Sequence, residues 1–215
     1  MSDAEHPKIA AADHEILDVI RHRWSPRAFD AAADVSDAEL RQLFEAARWA
    51  PSSANEQPWR FVVATSRRNP RAFAALLDTL EPRNQAWARH APAVVLVAIR
   101  LTFERNGAPN AMAWWDAGQA VGFLSLQATA MGLATRQMAG FDVERARTAC
   151  DVPSLFEPAI VMAIGRAGDP DRLEVEKHRA AELQPRQRRP IDEFVFDGAW
   201  GTGFGSSPLD TLGTT

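Results

Sequence analysis

Ala93-Val94-Val95-Leu96-Val97-Ala98-Ile99 is an unbroken apolar run, and it constrains the fold more than any other segment. A strand with one wet face alternates apolar and polar side chains. A valine-rich run of strand length without alternation therefore predicts a strand covered on both faces. Such a strand belongs at the centre of its sheet.

The flanking segments supply the covering layers. Asn110 to Met131 carries Ala113, Ala117, Ala120, Val121, Leu124, Leu126 and Ala128, a long helical pattern that is apolar on more than one side, with Gly132 as its stop. Ser36-Asp37-Ala38-Glu39 is a capping-box pattern that opens a helix through Leu40, Leu43, Phe44 and Ala47, ending before Pro51. Ile16, Leu17, Val19 and Ile20 predict a helix over Asp13 to His22. Asn69-Pro70 places a cap and a first-turn proline before Phe73, Leu76, Leu77 and Leu80. Trp59–Thr65, Thr135–Met138 and Ala159–Ile164 read as further short strands, the last two flanking a helix capped by Asp142. The alternation predicts an α/β or α+β sandwich.

Residues 166 to 190 are charged and proline-punctuated, without periodicity, before Phe194-Val195-Phe196 returns as a short apolar patch. A stretch of this kind suits a C-terminal segment that wraps over a partner subunit, burying Phe194, Phe196 and Trp200 there. Residues 1–200 are read as one domain and 201–215 as a flexible tail. Gly201-Thr202-Gly203-Phe204-Gly205 neither follows a strand nor opens a helix, so it is read as tail and not as a phosphate loop.

With 215 residues and 46% hydrophobic content, the chain can build a core without metal or disulfide. The single cysteine, Cys150, points to a reduced compartment and an inert buried thiol. Asp3, Glu5, Asp13 and Glu15 interrupt the first residues, so neither a signal peptide nor a membrane span is read there, and a cytoplasmic location is expected. The histidines show no mutual metal spacing. Net charge is −4, which speaks against nucleic acid as a partner.

Against that acidic background, arginines gather at Arg21, Arg23 and Arg27 and again at Arg186, Arg188 and Arg189. Arg23-Trp24-Ser25-Pro26-Arg27-Ala28-Phe29 sets basic donors beside a hydroxyl. Ala50-Pro51-Ser52-Ser53-Ala54-Asn55-Glu56-Gln57-Pro58-Trp59 strings small polar residues between prolines, which lets backbone amides approach a flat ligand. Together they suggest an anionic, aromatic cofactor. Read singly, Ser25 is as well a turn hydroxyl, Asn84 a cap or turn residue, and Pro51 to Asn55 an ordinary connection. Asp116 reads as ordering the start of the long helix, and Trp114-Trp115 as core or interface.

These segments, taken in order, resemble the FMN-dependent nitroreductase family. The resemblance rests on Arg-x-Ser-x-Arg-x-Phe at Arg23 to Phe29, Pro-Ser-Ser-x-Asn-x-Gln-Pro-Trp at Pro51 to Trp59, and Asn84 ahead of the apolar strand. Asp116-Ala117-Gly118, Gly132-Leu133, Gly140-Phe141-Asp142 and Arg-x-Arg-x-Pro at Arg186 to Pro190 continue it. It implies an α+β fold with a central mixed, mostly antiparallel sheet flanked by helices, and a homodimer with shared active sites. Arg23 and Ser25, with Arg186 and Arg188, match phosphate-binding positions. Trp24 stands where relatives carry an arginine or histidine. Arg27 matches the cation at the pyrimidine edge of the flavin, which makes it the catalytic candidate, and Asn84 matches an amide on that edge. Pro51, Ser52, Ser53 and Asn55 match a loop from the other subunit. Gln137, Met138, Ala139 and Gly140 match the stretch beside the reactive edge, Ala139 replacing a glutamate of some relatives.

The implied activity is transfer of a hydride from NAD(P)H through flavin N5 to a flat electron-poor molecule, a nitroaromatic or quinone, in ping-pong fashion. The alternatives are a redox sensor or FMN reservoir without turnover, or a relative with dehalogenase, flavin-cleaving or dehydrogenase activity.

Overall fold

The computed structural model describes residues 7–204. The chain divides into two units, Met1–Pro185 and Arg186–Thr215. The first unit is built on the strands β1 (Trp59–Thr65), β2 (Ala93–Arg100), β3 (Ala134–Met138) and β4 (Phe156–Gly165). Their spatial order is β1-β2-β4-β3.

Every pairing among these strands is antiparallel, in line with the mostly antiparallel sheet expected from the family. β2 and β3 do run parallel, but β4 lies between them, so no parallel ladder forms. The α+β class holds.

β2 explains its own composition. Val94, Leu96 and Ala98 enter one buried cluster with Phe73, Leu76 and Trp87. Ala93, Val95, Val97 and Ile99 enter a second with Leu40, Leu43, Ala117 and Leu124. Successive side chains point to opposite faces, and each face has its own helices. Burying one such large apolar side chain is worth about 1.5–3 kcal/mol, so the doubly covered strand is the centre of stability.

Among the described residues, seven α-helices accompany the sheet: α1 (Asp18–His22), α2 (Asp37–Arg48), α3 (Pro70–Leu77), α4 (Pro82–Ala88), α5 (Ala113–Ala130), α6 (Val143–Ala149) and α7 (Glu176–Leu183). The capping box of α2 is complete, Ser36 accepting from the Glu39 amide while the Glu39 carboxylate accepts from the Ser36 amide. Asp142 caps α6 by accepting from the Arg145 amide at 3.0 Å. Gly132 ends α5 region by turning left-handed, at φ 69°.

Four expectations are corrected. The helix over Asp13 to His22 shrinks to Asp18–His22, because Leu17 offers no capping side chain and is 71% exposed; its apolar stripe lacks a core to sustain it. Asn69 sits at the N-terminal boundary of α3 but does not cap it. Its side chain accepts from the Thr65 amide at 2.6 Å and donates to the Val63 carbonyl at 3.3 Å, tying the helix start to β1. Asn84 lies within α4 and is not a cap. The segment 166–190 contains a 3-10 turn at Pro170–Arg172 and helix α7, formed by strong helix formers without an apolar period.

In the second unit, Ile191–Glu193 forms a 3-10 turn. Phe196 bridges to Gly203 and its ring lies 4.9 Å from that of Trp200. Of the expected tail, 205–215 falls outside the described residues.

Candidate functional site

The Arg23–Phe29 segment follows α1 and anchors itself through its apolar members. Ala28 and Phe29 are buried, Phe29 bridges to Ala167, and the Gly168 amide donates to the Ala28 carbonyl at 2.9 Å. The Phe29 ring stacks on Trp87 of α4 at 6.2 Å. With Ala28 and Phe29 facing the core, the polar residues before them are presented as a set.

Arg23 donates from Nη1 to the Ser25 hydroxyl at 3.1 Å, so guanidinium and hydroxyl form one donor group. Arg136 of β3, whose guanidinium lies over the Trp87 ring at 5.3 Å, donates to the Ser25 carbonyl. The Arg27 amide donates to Oε1 of Glu182 at 3.1 Å, and its Nη1 lies 3.7 Å from the same oxygen. Glu182, on α7, is 2% exposed. Trp24 faces Lys8, whose Nζ is 5.8 Å from the ring centroid.

The electrostatics of this cluster are lopsided. Burial, then the nearby Arg27 charge, pushes the Arg136 guanidinium down to about 10, with Glu182 pulling the other way. His178 is lowered as well, by burial and by Arg27, Arg136 and Lys177. Burial is the first cause of both shifts, and the like charge of Arg27 acts in the same direction. An anion is what such a donor set accommodates.

A second group of expected residues meets at the end of β3. Gln137 is exposed, Met138 buried, Ala139 exposed and Gly140 half-buried. The Gly140 carbonyl accepts from the Glu81 amide at 3.0 Å and from Nδ2 of Asn84 at 3.2 Å. A Cβ on Gly140 would lie 2.6 Å from the Glu81 carboxyl, so only glycine fits with that side chain in place. Trp87 joins the two groups, sharing α4 with Asn84 while touching Phe29 and Arg136.

Pro51, Ser52, Ser53 and Asn55 go elsewhere. They follow α2, and the flanking Ala50 and Trp59 belong to the cluster on the α2 and α5 face of the sheet, not to that of Phe29 and Trp87. The Ser53 amide donates to buried Asp116 of α5 at 3.0 Å, and the Gln57 amide to the Ser52 hydroxyl at 3.0 Å. Gln57 also donates to the Asn55 carbonyl and side-chain oxygen, both at 3.1 Å. The Asp116 carboxylate therefore orders the loop, while no side chain caps the start of α5.

Arg186 and Arg188 belong to the second unit, where Arg188 donates to the Gln187 carbonyl at 2.7 Å. Trp114 and Trp115 are exposed, not core. Cys150 is half-buried, its thiol raised by burial and by Asp151. No group of metal-binding side chains occurs among the described residues. Among them, too, no helix is long and apolar enough to cross a membrane.

Residues 20–166 match the sequence model of the Nitroreductase family. The chain belongs to this family. An uncharacterized 15.4 kDa protein in the ask 5' region of Mycolicibacterium smegmatis is 34% identical over 129 residues, covering 60% of this chain and 84% of that protein. The NADH dehydrogenase of Thermus thermophilus is 29% identical over 193 residues, covering 75% of this chain and 85% of its own. A crystal structure of an oxidoreductase containing FMN is similar with TM-score 0.83 and 28% identity, over 94% of this chain and 100% of that one.

Reasoning from sequence missed Arg136, Glu182, Trp87 and Lys8 as members of the site. Arg136 interrupts an otherwise strand-like segment and Glu182 lies in a stretch of helix formers. Those local signals exist, but their meeting at Ser25 and Arg27 has no local signature.

Proposed function

We propose that the protein is an FMN-dependent oxidoreductase that passes a hydride from NAD(P)H to an electron-poor acceptor such as a nitroaromatic or a quinone. The observation that carries this reading is the Arg23–Arg27 segment. Its Arg23–Ser25 donor pair and its Arg27 guanidinium are fixed by Arg136 and Glu182 in a locally cationic setting. The half-buried Asn84–Gly140 pair is linked to it through Trp87.

In this reading Arg23 and Ser25 hold the phosphate by charge-assisted hydrogen bonds, and Trp24 flanks them. Arg27 faces the pyrimidine edge, where its charge stabilises the negative charge that reduction places there. Asn84, whose Nδ2 is given to Gly140, offers its amide oxygen to the same edge. Gln137, Met138, Ala139 and Gly140 orient the reactive edge through their backbone. The flavin, when bound, supplies the hydride chemistry, and the protein supplies position and charge.

Pro51, Ser52, Ser53 and Asn55 are anchored on the opposite face from Phe29 and Trp87, so they serve the site of a second subunit. A homodimer with shared active sites follows, with Phe194, Phe196 and Trp200 laid on the partner. Trp200 is 92% exposed in the single chain. The protein acts in the cytoplasm.

The test is FMN titration of the apoprotein followed by anaerobic mixing with NADH and NADPH. FMN binds, and a reduced nucleotide bleaches its visible absorbance. Arg23→Ala weakens binding by about 10- to 100-fold, the worth of one charge-assisted hydrogen bond. Arg27→Ala lowers the flavin potential. Binding without bleaching assigns the protein to storage or sensing, and a failure to bind FMN overturns the proposal.

A further inference from the structure

Glu182 is a buried acid outside every motif of the family resemblance, and its surroundings are specific. One oxygen accepts the Arg27 amide at 3.1 Å and faces the Arg27 guanidinium at 3.7 Å. The other, Oε2, is buried without a hydrogen-bond partner among the described residues. A carboxylate left half-satisfied beneath the surface costs stability, so a purely structural role explains it poorly.

Its helix is held just as firmly. Lys8, itself 8% exposed, donates from Nζ to the Ala181 carbonyl at 2.6 Å and to the Gln184 carbonyl at 2.5 Å. These carbonyls belong to the last turn and C-terminal boundary of α7. A cation there satisfies acceptors that a helix end leaves open. Lys8 thus fixes the turn of α7 that carries Glu182, and Glu182 fixes Arg27.

We propose that Glu182 is a positioning residue for Arg27, acting in two ways. Its hydrogen bond sets the Arg27 backbone, which aims the guanidinium, and its negative charge offsets part of the positive charge presented to the bound flavin. The second effect rests on the flavin reading of the site. A positive charge at the pyrimidine edge favours the reduced form, so a carboxylate behind that charge holds the potential down. Arg27 and Glu182 therefore act as an opposed pair, and the potential is set by their difference.

Glu182→Gln separates charge from hydrogen bond, since the amide oxygen still accepts from Arg27 while the charge is gone. With FMN bound, this variant binds reduced over oxidised flavin about tenfold more favourably than the parent, a shift of about 30 mV to more positive potential for two electrons. Dye equilibration reads it. An unchanged or more negative potential overturns the electrostatic half. The positioning half is read without flavin, by hydrogen exchange of the Arg27 amide. Protection persists in Glu182→Gln and falls at least tenfold in Glu182→Ala; unchanged exchange in the alanine variant, or lost protection in the glutamine variant, overturns it. If the parent protein takes up no FMN, the functional reading fails while the amide measurement still decides the positioning role.

Discussion

Asp116, 2% exposed in the first turn of α5, accepts the backbone amide of Ser53 at 3.0 Å. This one contact joins the start of the long buried helix to a loop in which Ala54, Asn55 and Gln57 take φ of 51°, 56° and 48°. Left-handed backbone costs a residue with a side chain roughly 1–2 kcal/mol. The loop keeps that shape only because surrounding bonds over-determine it. Asp116 is the buried member of that set, which also includes the Ser52 hydroxyl, accepting from the Gln57 amide, and the Gln57 side chain, donating to Asn55.

Asp116→Ala is accordingly expected to destabilise the protein by about 1.5–3 kcal/mol, the usual cost of losing a hydrogen bond to a charged group. Asp116→Asn retains an acceptor oxygen and costs less. Urea unfolding measures both, and limited proteolysis reports whether the 51–57 loop opens. An alanine variant as stable as the parent, with an uncut loop, removes Asp116 from this role.

The pH dependence of anion binding follows from Arg136. Its guanidinium loses its proton at about 10 in the folded chain, well below the ordinary arginine value. A base whose folded value is depressed binds fewer protons folded than unfolded between those limits. Its contribution to stability therefore rises with pH through that window, and below it the charged group is a cost. A bound anion offsets that cost. Inorganic phosphate is expected to raise the thermal midpoint near pH 8 and to lose much of this effect as pH passes 10. Equal stabilisation at both pH values, read by differential scanning fluorimetry, contradicts the role given to Arg136.

Gly168 holds the segment from the other side. A Cβ there would lie 2.5 Å from the Phe29 carbonyl carbon and 2.7 Å from the Asp30 nitrogen, and neither is the end of a flexible side chain. Gly168→Ala must push the backbone of Phe29 and Asp30 away, at about 1–3 kcal/mol. It should also weaken FMN binding, because Phe29 closes the segment that carries Arg23, Ser25 and Arg27. Thermal unfolding and FMN titration of the variant check both effects, and wild-type values in both dispose of the argument.

The elements legible in the sequence are those whose signal is local. β1 occupies Trp59–Thr65 as expected, β2 extends one residue past Ile99, and α2 begins after Ser36 with its capping box intact. In each, the period of the side chains or a cap three residues away carries the information. The helix over Asp13 to His22 failed on the same principle. Its apolar stripe predicts a helix only if something covers it, and Ile16, Leu17 and Ile20 remain exposed in the single chain.

By itself, then, the sequence determined the alternation of helix and strand, the doubly covered β2, and the motif order that marks the family. Tertiary structure alone decided that β4 would lie between β2 and β3, that Asn84 would meet Gly140, and that Arg136 and Glu182 would meet the Arg23–Arg27 segment. The reason is physical: side-chain periodicity is written between neighbours, whereas Arg27 and Glu182 stand 155 residues apart. Only packing of α7 and β3 around that segment brings their charges within reach.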